Sequence, residues 1–181
     1  MTTIGVSVAV PDPWGTELQD YRVRLGDPTA SGIPTHITLL PPIDVDDVLL
    51  PGIHEHLEAV ASATPRYHAH LRGTGSFRPV SPVVFVNVVE GISSCELLAS
   101  AVRQGPLAID AQYPYHPHVT VAHHLSDAQL DRAFDDLGTF DSRFVVEEFS
   151  LYEHRDDRGW TPVRSFVLSG SADLPGSRTA G

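Results

Sequence analysis

The sequence predicts an α+β protein built as two similar lobes within one chain of 181 residues. Three observations lead there. Period-two apolar stretches alternate with stretches of helical period, a His-x-Thr strand followed by a loop and a helix occurs twice, and the last apolar segments read as a hairpin. Ile4, Val6, Val8 and Val10 alternate with the small Gly5, Ser7 and Ala9, a strand with one face open to close packing. Asp12-Pro13 opens a helix with Pro at its first position, Trp14, Leu18, Tyr21 and Leu25 form its stripe, and Gly26 stops it. His36 to Leu40 is a short strand ended by Pro41-Pro42. A helix begins near Pro51, with Ile53, Leu57, Val60 and Ala61 on its apolar side. Tyr67 to Arg72 is a strand, Gly73 to Pro82 a loop, and Val83 to Val89 an apolar run suited to burial on both faces. Ser93-Ser94-Cys95-Glu96 has capping-box spacing and opens a helix to Arg103.

His118 to Ala122 is the next strand, and Ser126-Asp127-Ala128-Gln129 a second capping box before the stripe Leu130, Ala133, Phe134, Leu137. Arg143 to His154 and Trp160 to Leu168 are predicted as a hairpin joined by Asp156-Asp157-Arg158-Gly159. Residues 1–170 are expected to form a single bilobal domain, and residues 171–181 a disordered tail.

Composition narrows the function. The net charge is -11, with twelve arginines, no lysine and no long basic run. Long nucleic acid is held by a basic face that releases counterions, so this balance favours a small substrate or a strand end. No stretch approaches the roughly 20 apolar residues that span a bilayer. No basic-then-apolar secretory pattern opens the chain. Cys95 is the only cysteine, which excludes an intramolecular disulfide and makes a reducing cytoplasm the expected compartment. Cys95 itself falls in a predicted helix, where a structural role is expected.

The repeat carries the chemistry. Thr35-His36-Ile37-Thr38-Leu39 and Pro117-His118-Val119-Thr120-Val121 are each followed by a loop and a helix, a spacing of nearly half the chain. On a strand, residues i and i+2 share a face. His36 and Thr38 therefore project together, as do His118 and Thr120, while Ile37, Leu39, Val119 and Val121 face a core. Two such strands side by side offer two imidazoles and two hydroxyls. Histidine titrates near pH 6.5, so one imidazole can take a proton from an attacking oxygen and the other give one to a leaving oxygen. The threonine hydroxyls can donate to non-bridging phosphate oxygens. This logic requires no metal and no cofactor. A single His-x-Thr is a weak signal, and two surface histidines on edge strands are the rival account.

The segments Pro34-Thr35-His36-Ile37-Thr38-Leu39-Leu40-Pro41-Pro42 and His116-Pro117-His118-Val119-Thr120-Val121-Ala122 resemble the two signatures of the 2H phosphoesterases, which include the RNA 2',5'-ligase-like proteins and cyclic nucleotide phosphodiesterases. The resemblance implies two antiparallel sheets facing a central cleft with helices outside. It implies metal-independent hydrolysis of a 2',3'-cyclic phosphate or a related small nucleotide or RNA-end phosphodiester. It implies His36 and His118 as the catalytic pair, with Thr38 and Thr120 as phosphate-binding hydroxyls. Many RNA-active members carry His-Val-Thr-x-x-Arg at the second signature, where this chain has His123. Arg72, Arg78 and Arg155 are candidate replacements for that cation.

Phe77, Tyr115 and Tyr152 are candidate substrate-binding aromatics, able to stack on a base, with core packing as the plainer reading. His54 and His56 diverge on a helix and read as a solvated face, and His68 and His70 as a polar strand face. His116, His118, His123 and His124 form the densest histidine cluster. They support an alternative, a metal-dependent hydrolase. A nucleotide-binding module without catalysis is a further alternative. Oligomeric state is left open.

Overall fold

The structure is a computed structural model and describes residues 1–171 except Asp157. The expected tail beyond residue 171, and Asp157 in the last turn, lie outside the described residues.

The elements in chain order are β1 (Thr2–Ala9), α1 (Trp14–Leu25), β2 (His36–Val45), α2 (Leu50–Ala63), β3 (Tyr67–Ser76), β4 (Val83–Glu90), α3 (Ile92–Val102), β5 (His118–His123), α4 (Asp127–Asp136), β6 (Asp141–Val146), β7 (Glu148–Arg155) and β8 (Gly159–Val167). The strands form one eight-stranded sheet in the order β6-β3-β4-β5-β2-β1-β7-β8. All pairings are antiparallel. The two expected sheets are thus two four-stranded halves, joined where Ile37 on β2 pairs with Val119 on β5. The units β1-α1-β2-α2 and β4-α3-β5-α4 repeat the same order, one for each His-x-Thr strand.

Side-chain alternation decides which face is covered. Ile37, Leu39, Val119 and Val121 are all 0% exposed, in one core with Leu18 of α1, Leu57 of α2, Leu98 of α3 and Leu130 of α4. The helices therefore cover that face, and the small row of β1, Gly5 and Ser7, is left on the other. Burying each such aliphatic side chain contributes on the order of 1.5–3 kcal/mol. Cys95 is buried in α3 with Sγ 3.3 Å from the Tyr67 hydroxyl, and burial raises its thiol pKa.

Several expectations are corrected. β2 does not end at Pro41-Pro42 but runs on to Val45. Its register with β1 shifts between Ile4 and Val6, so Gly5 faces the prolines across a bulge where no ladder N–H is needed. The segment from Arg143 to His154 is two strands. β6 pairs with β3 at one edge, and β7 pairs with β1 in the other half. The sequence carries the reason: on β6 the even Phe144 and Val146 join the main core, on β7 the odd Phe149 and Leu151 do so while Ser150 and Tyr152 are buried on the opposite face, and the phase changes at Glu147-Glu148.

α3 begins one residue before the proposed capping box, on Gly91 in the left-handed region at φ 86°. A Cβ there would lie 2.5 Å from the His68 carbonyl oxygen, so only glycine fits. Phe134 of the predicted α4 stripe is 40% exposed, whereas Leu130 and Ala133 are buried. His54 and His56 are partly buried rather than solvated: the His56 Nε2 sits 3.1 Å from the Val102 carbonyl and ties α2 to α3.

The Ser126 capping box forms as expected, with the hydroxyl accepting from the Gln129 backbone N–H. Ser126→Ala should cost about 1 kcal/mol of stability, read as a lower urea midpoint with unchanged m-value.

Candidate active site

The Ile37–Val119 pair lies at the middle residue of both His-x-Thr tripeptides. Antiparallel geometry then sets His36 level with Thr120, and Thr38 level with His118. The approximate twofold axis passes between them, so each histidine stands level with the other lobe's threonine.

Each histidine is oriented in the same way. The His36 Nδ1 lies 2.7 Å from the carbonyl oxygen of Pro34, and the His118 Nδ1 lies 2.6 Å from that of His116. A carbonyl can only accept, so Nδ1 carries the proton in both rings. That leaves Nε2 as the free nitrogen, a base when the ring is neutral and an acid when it is charged. The prolines bordering the motifs contribute here: Pro34 supplies one of these carbonyls, and Pro117, itself buried, holds the approach to the other.

Burial lowers both imidazole pKa values below the ordinary histidine value of 6.5. The hydrogen bonds to Pro34 and His116 oppose that shift. The neighbouring charges of Arg22 and His118 add to it at His36, and that of His116 adds to it at His118. The free protein therefore holds both rings mainly neutral at pH 7.

The cleft has two unequal arms. A pocket of about 160 Å³ is lined by His36, Thr38, Gly5, Ser7, Tyr152 and Trp160. A pocket of about 750 Å³ is lined by His118, Thr38, Phe77, Tyr115, His116 and Arg103, among others. Thr38 borders both. The register explains the inequality. Beside Thr38 on β1 stands Ser7, but beside Thr120 on β4 stands Phe85. Gly75 on β3 makes room for that ring, since a Cβ there would sit 2.6 Å from it.

All three candidate aromatics reach the cleft. Phe77 packs on Phe85 at 4.5 Å between ring centroids and meets the His118 ring edge-on at 5.0 Å. Tyr115 donates its hydroxyl to the Thr38 carbonyl at 2.9 Å, and the Arg103 guanidinium covers its ring at 4.9 Å. Tyr152 is 4% exposed beneath the smaller arm, and burial raises its phenol pKa.

The candidate replacement arginines lie elsewhere. Arg72 pairs with Asp141 at 3.8 Å, Arg78 with Asp131 at 2.9 Å and Arg155 with Glu153 at 3.1 Å, and none lines either arm. The cleft's guanidinium is Arg103, just after α3, which sequence reasoning missed along with Ser7 and Trp160. Arg103 Nε donates to the Leu39 carbonyl at 2.6 Å, a contact across 64 residues that no local pattern announces.

The histidine cluster does not converge. His116 and His118 have ring centroids 5.8 Å apart at one end of β5, and His123 stacks on His124 at 3.7 Å at the other. His70 is buried 3.2 Å from Asp141 while His68 is exposed. Among the described residues, no group of three or more His, Cys, Asp or Glu side chains is placed to hold a metal. Nor is any helix among them long and apolar enough to cross a membrane.

Two His-x-Thr strands running antiparallel beside one cleft, with helices on the far face, define the 2H phosphoesterase class. A family model described as the 2'-5' RNA ligase superfamily matches residues 10–158, and the chain belongs to that superfamily. A Bacillus licheniformis protein named "Putative phosphoesterase" is 32% identical over 84% of this chain and 92% of its own length. A similarly named Oceanobacillus iheyensis protein is 29% identical over 78% of this chain and 84% of its own. Among solved structures, TT0787 of Thermus thermophilus superposes with a TM-score of 0.66 at 22% identity, covering 95% of this chain and all of that one. Escherichia coli LigT bound to 3'-AMP gives 0.63 at 20% identity, covering 93% of this chain and 98% of that one.

Proposed function

We propose that this phosphoesterase hydrolyses a 2',3'-cyclic phosphate, or a related small phosphodiester on a nucleotide or RNA end, by metal-independent acid-base catalysis. His36 and His118 act as the proton-transferring pair, and the Thr38 and Thr120 hydroxyls donate to the phosphate's non-bridging oxygens. The observation that carries this reading is the shared orientation of the two imidazoles. Each spends its Nδ1 proton on a carbonyl two residues upstream and keeps Nε2 for the cleft.

One neutral Nε2 takes a proton from water as its oxygen attacks phosphorus, and one protonated Nε2 gives a proton to the departing ribose oxygen. The two charges exchange, and the pair returns to its starting state through solvent. A nucleotide-sized occupant accords with the LigT complex with 3'-AMP and with the volume of the larger arm.

Turnover of a 2',3'-cyclic mononucleotide should persist in excess chelator. Loss on chelation with return on zinc would favour the metal-dependent alternative. Binding without turnover across several phosphodiesters would favour the non-catalytic one.

The pH dependence follows from the direction of the imidazole shifts. The free protein needs one ring neutral and one charged, and both titrate below pH 6.5. The kcat/KM profile should therefore be a bell with its maximum on the acid side of pH 6.5, set by the coupled pair. Bound phosphate is an anion and favours the imidazolium, so the kcat maximum should lie at higher pH. A kcat/KM maximum above pH 8 would contradict the pairing.

A further inference from the structure

We infer that Arg103 is a specificity residue that binds a second, non-reacting phosphate of the substrate, so that the preferred ligand is a nucleotide carrying a phosphate besides the cyclic one. The inference rests on the phosphoesterase reading above.

The two tripeptides serve the reacting phosphate almost symmetrically about the Ile37–Val119 pair. Arg103 breaks that symmetry. It lines only the larger arm, and the smaller arm holds no arginine or carboxylate among its lining residues. Seven other arginines, Arg22, Arg66, Arg72, Arg78, Arg143, Arg155 and Arg164, each pair with a carboxylate. Among the described residues Arg103 has no such partner; the exposed Arg24 and Arg132 also lack one but lie outside the cleft, and the one carboxylate lining the larger arm, Asp110, forms no ion pair with Arg103.

Its geometry is fixed in advance. The β2–β5 ladder ends after one pair, leaving two successive β2 carbonyls beyond it. The Tyr115 hydroxyl takes that of Thr38, and Arg103 Nε takes that of Leu39. The guanidinium then rests on the Tyr115 ring. One nitrogen is used, and the two terminal nitrogens keep their donors for the pocket. A partly buried, aromatic-backed guanidinium with unused donors is suited to two-point recognition of a phosphate. Its place in the larger arm alone suits a group on the nucleoside rather than the reacting one.

The test compares a nucleoside 2',3'-cyclic phosphate with its 5'-phosphorylated form. The wild-type protein should favour the 5'-phosphorylated substrate in kcat/KM by about 10- to 100-fold, the range for a charge-assisted hydrogen bond. Arg103→Gln, which keeps an N–H for the Leu39 carbonyl, should erase that preference, so that the kcat/KM ratio of the two substrates falls to within about twofold of one. Arg103→Lys should restore part of it. An equal loss on both substrates would place Arg103 on the reacting phosphate and overturn the inference, and so would the absence of any wild-type preference.

Calorimetric binding of a nucleoside 3',5'-bisphosphate against a nucleoside 3'-monophosphate separates the two readings. If no cyclic phosphate is turned over, the hydrolytic reading fails. The Arg103 inference then still stands or falls on whether Arg103→Gln removes the bisphosphate preference.

Discussion

His36→Ala and His118→Ala should each lower kcat for a 2',3'-cyclic nucleotide by about 10²–10⁴-fold, the range for loss of a positioned proton-transfer group. Folding should be little affected, because both rings face the cleft and the core contacts of β2 and β5 come from Ile37, Leu39, Val119 and Val121. Circular dichroism and the thermal midpoint check that point in the same samples. The double variant should lose little more than the worse single one, since acid and base act as a unit. Thr38→Ala and Thr120→Ala should cost less, about 10- to 100-fold each, as each removes one hydrogen bond to a charged oxygen. Unchanged turnover in either histidine variant would exclude the two-histidine mechanism.

The largest stability effect is expected behind the site, at Arg22 and Asp27. Both side chains are nearly inaccessible, at 6% and 0% exposure. Arg22 Nε and a terminal nitrogen reach one Asp27 oxygen at 3.0 and 2.8 Å. The Thr29 N–H and hydroxyl donate to the other oxygen at 2.9 and 2.7 Å. Burial alone would raise the Asp27 carboxyl pKa, but the Thr29 and Arg22 hydrogen bonds outweigh it and hold the group below its usual value. Its contribution is thus present above about pH 4 and is lost as pH falls through the lowered value.

Asp27→Ala leaves the Arg22 charge buried and unpaired, which should cost about 3–5 kcal/mol. For a chain of this length that is on the order of 10 °C in midpoint. The Arg22→Met/Asp27→Leu double variant should recover most of the loss, because breaking a buried pair costs more than replacing it with packed apolar groups. A thermal or urea melt of the three variants decides it, and equal stability of Asp27→Ala and wild type would refute the account. Arg22 also lowers the His36 pKa, so the double variant should raise it.

The halves of the site differed in legibility. His36 and Thr38, like His118 and Thr120, could be read as units because strand periodicity is local and exact in phase. Ile37 and Val119 could be read as core for the same reason. Nothing local announces that these two residues pair with each other across the sheet. The phase change at Glu147-Glu148 was present in the sequence but hidden by a continuous run of strand-forming residues. Pro41-Pro42 misled because their missing donors matter only where a partner strand needs them, and the bulge opposite Gly5 removes that need. Arg103 was invisible because its anchor and its aromatic platform come from Leu39 and Tyr115, brought together by the fold alone.

The central claim is that two imidazoles from opposite lobes act on one phosphorus. It is tested most directly by an experimental structure of the protein bound to a nucleoside 3'-monophosphate. The account predicts His36 Nε2 and His118 Nε2 on opposite sides of one phosphate, each about 2.6–3.2 Å from one of its oxygens, with the Thr38 and Thr120 hydroxyls on the oxygens between them. A phosphate held by only one of the two histidines, or bound away from both, would contradict it.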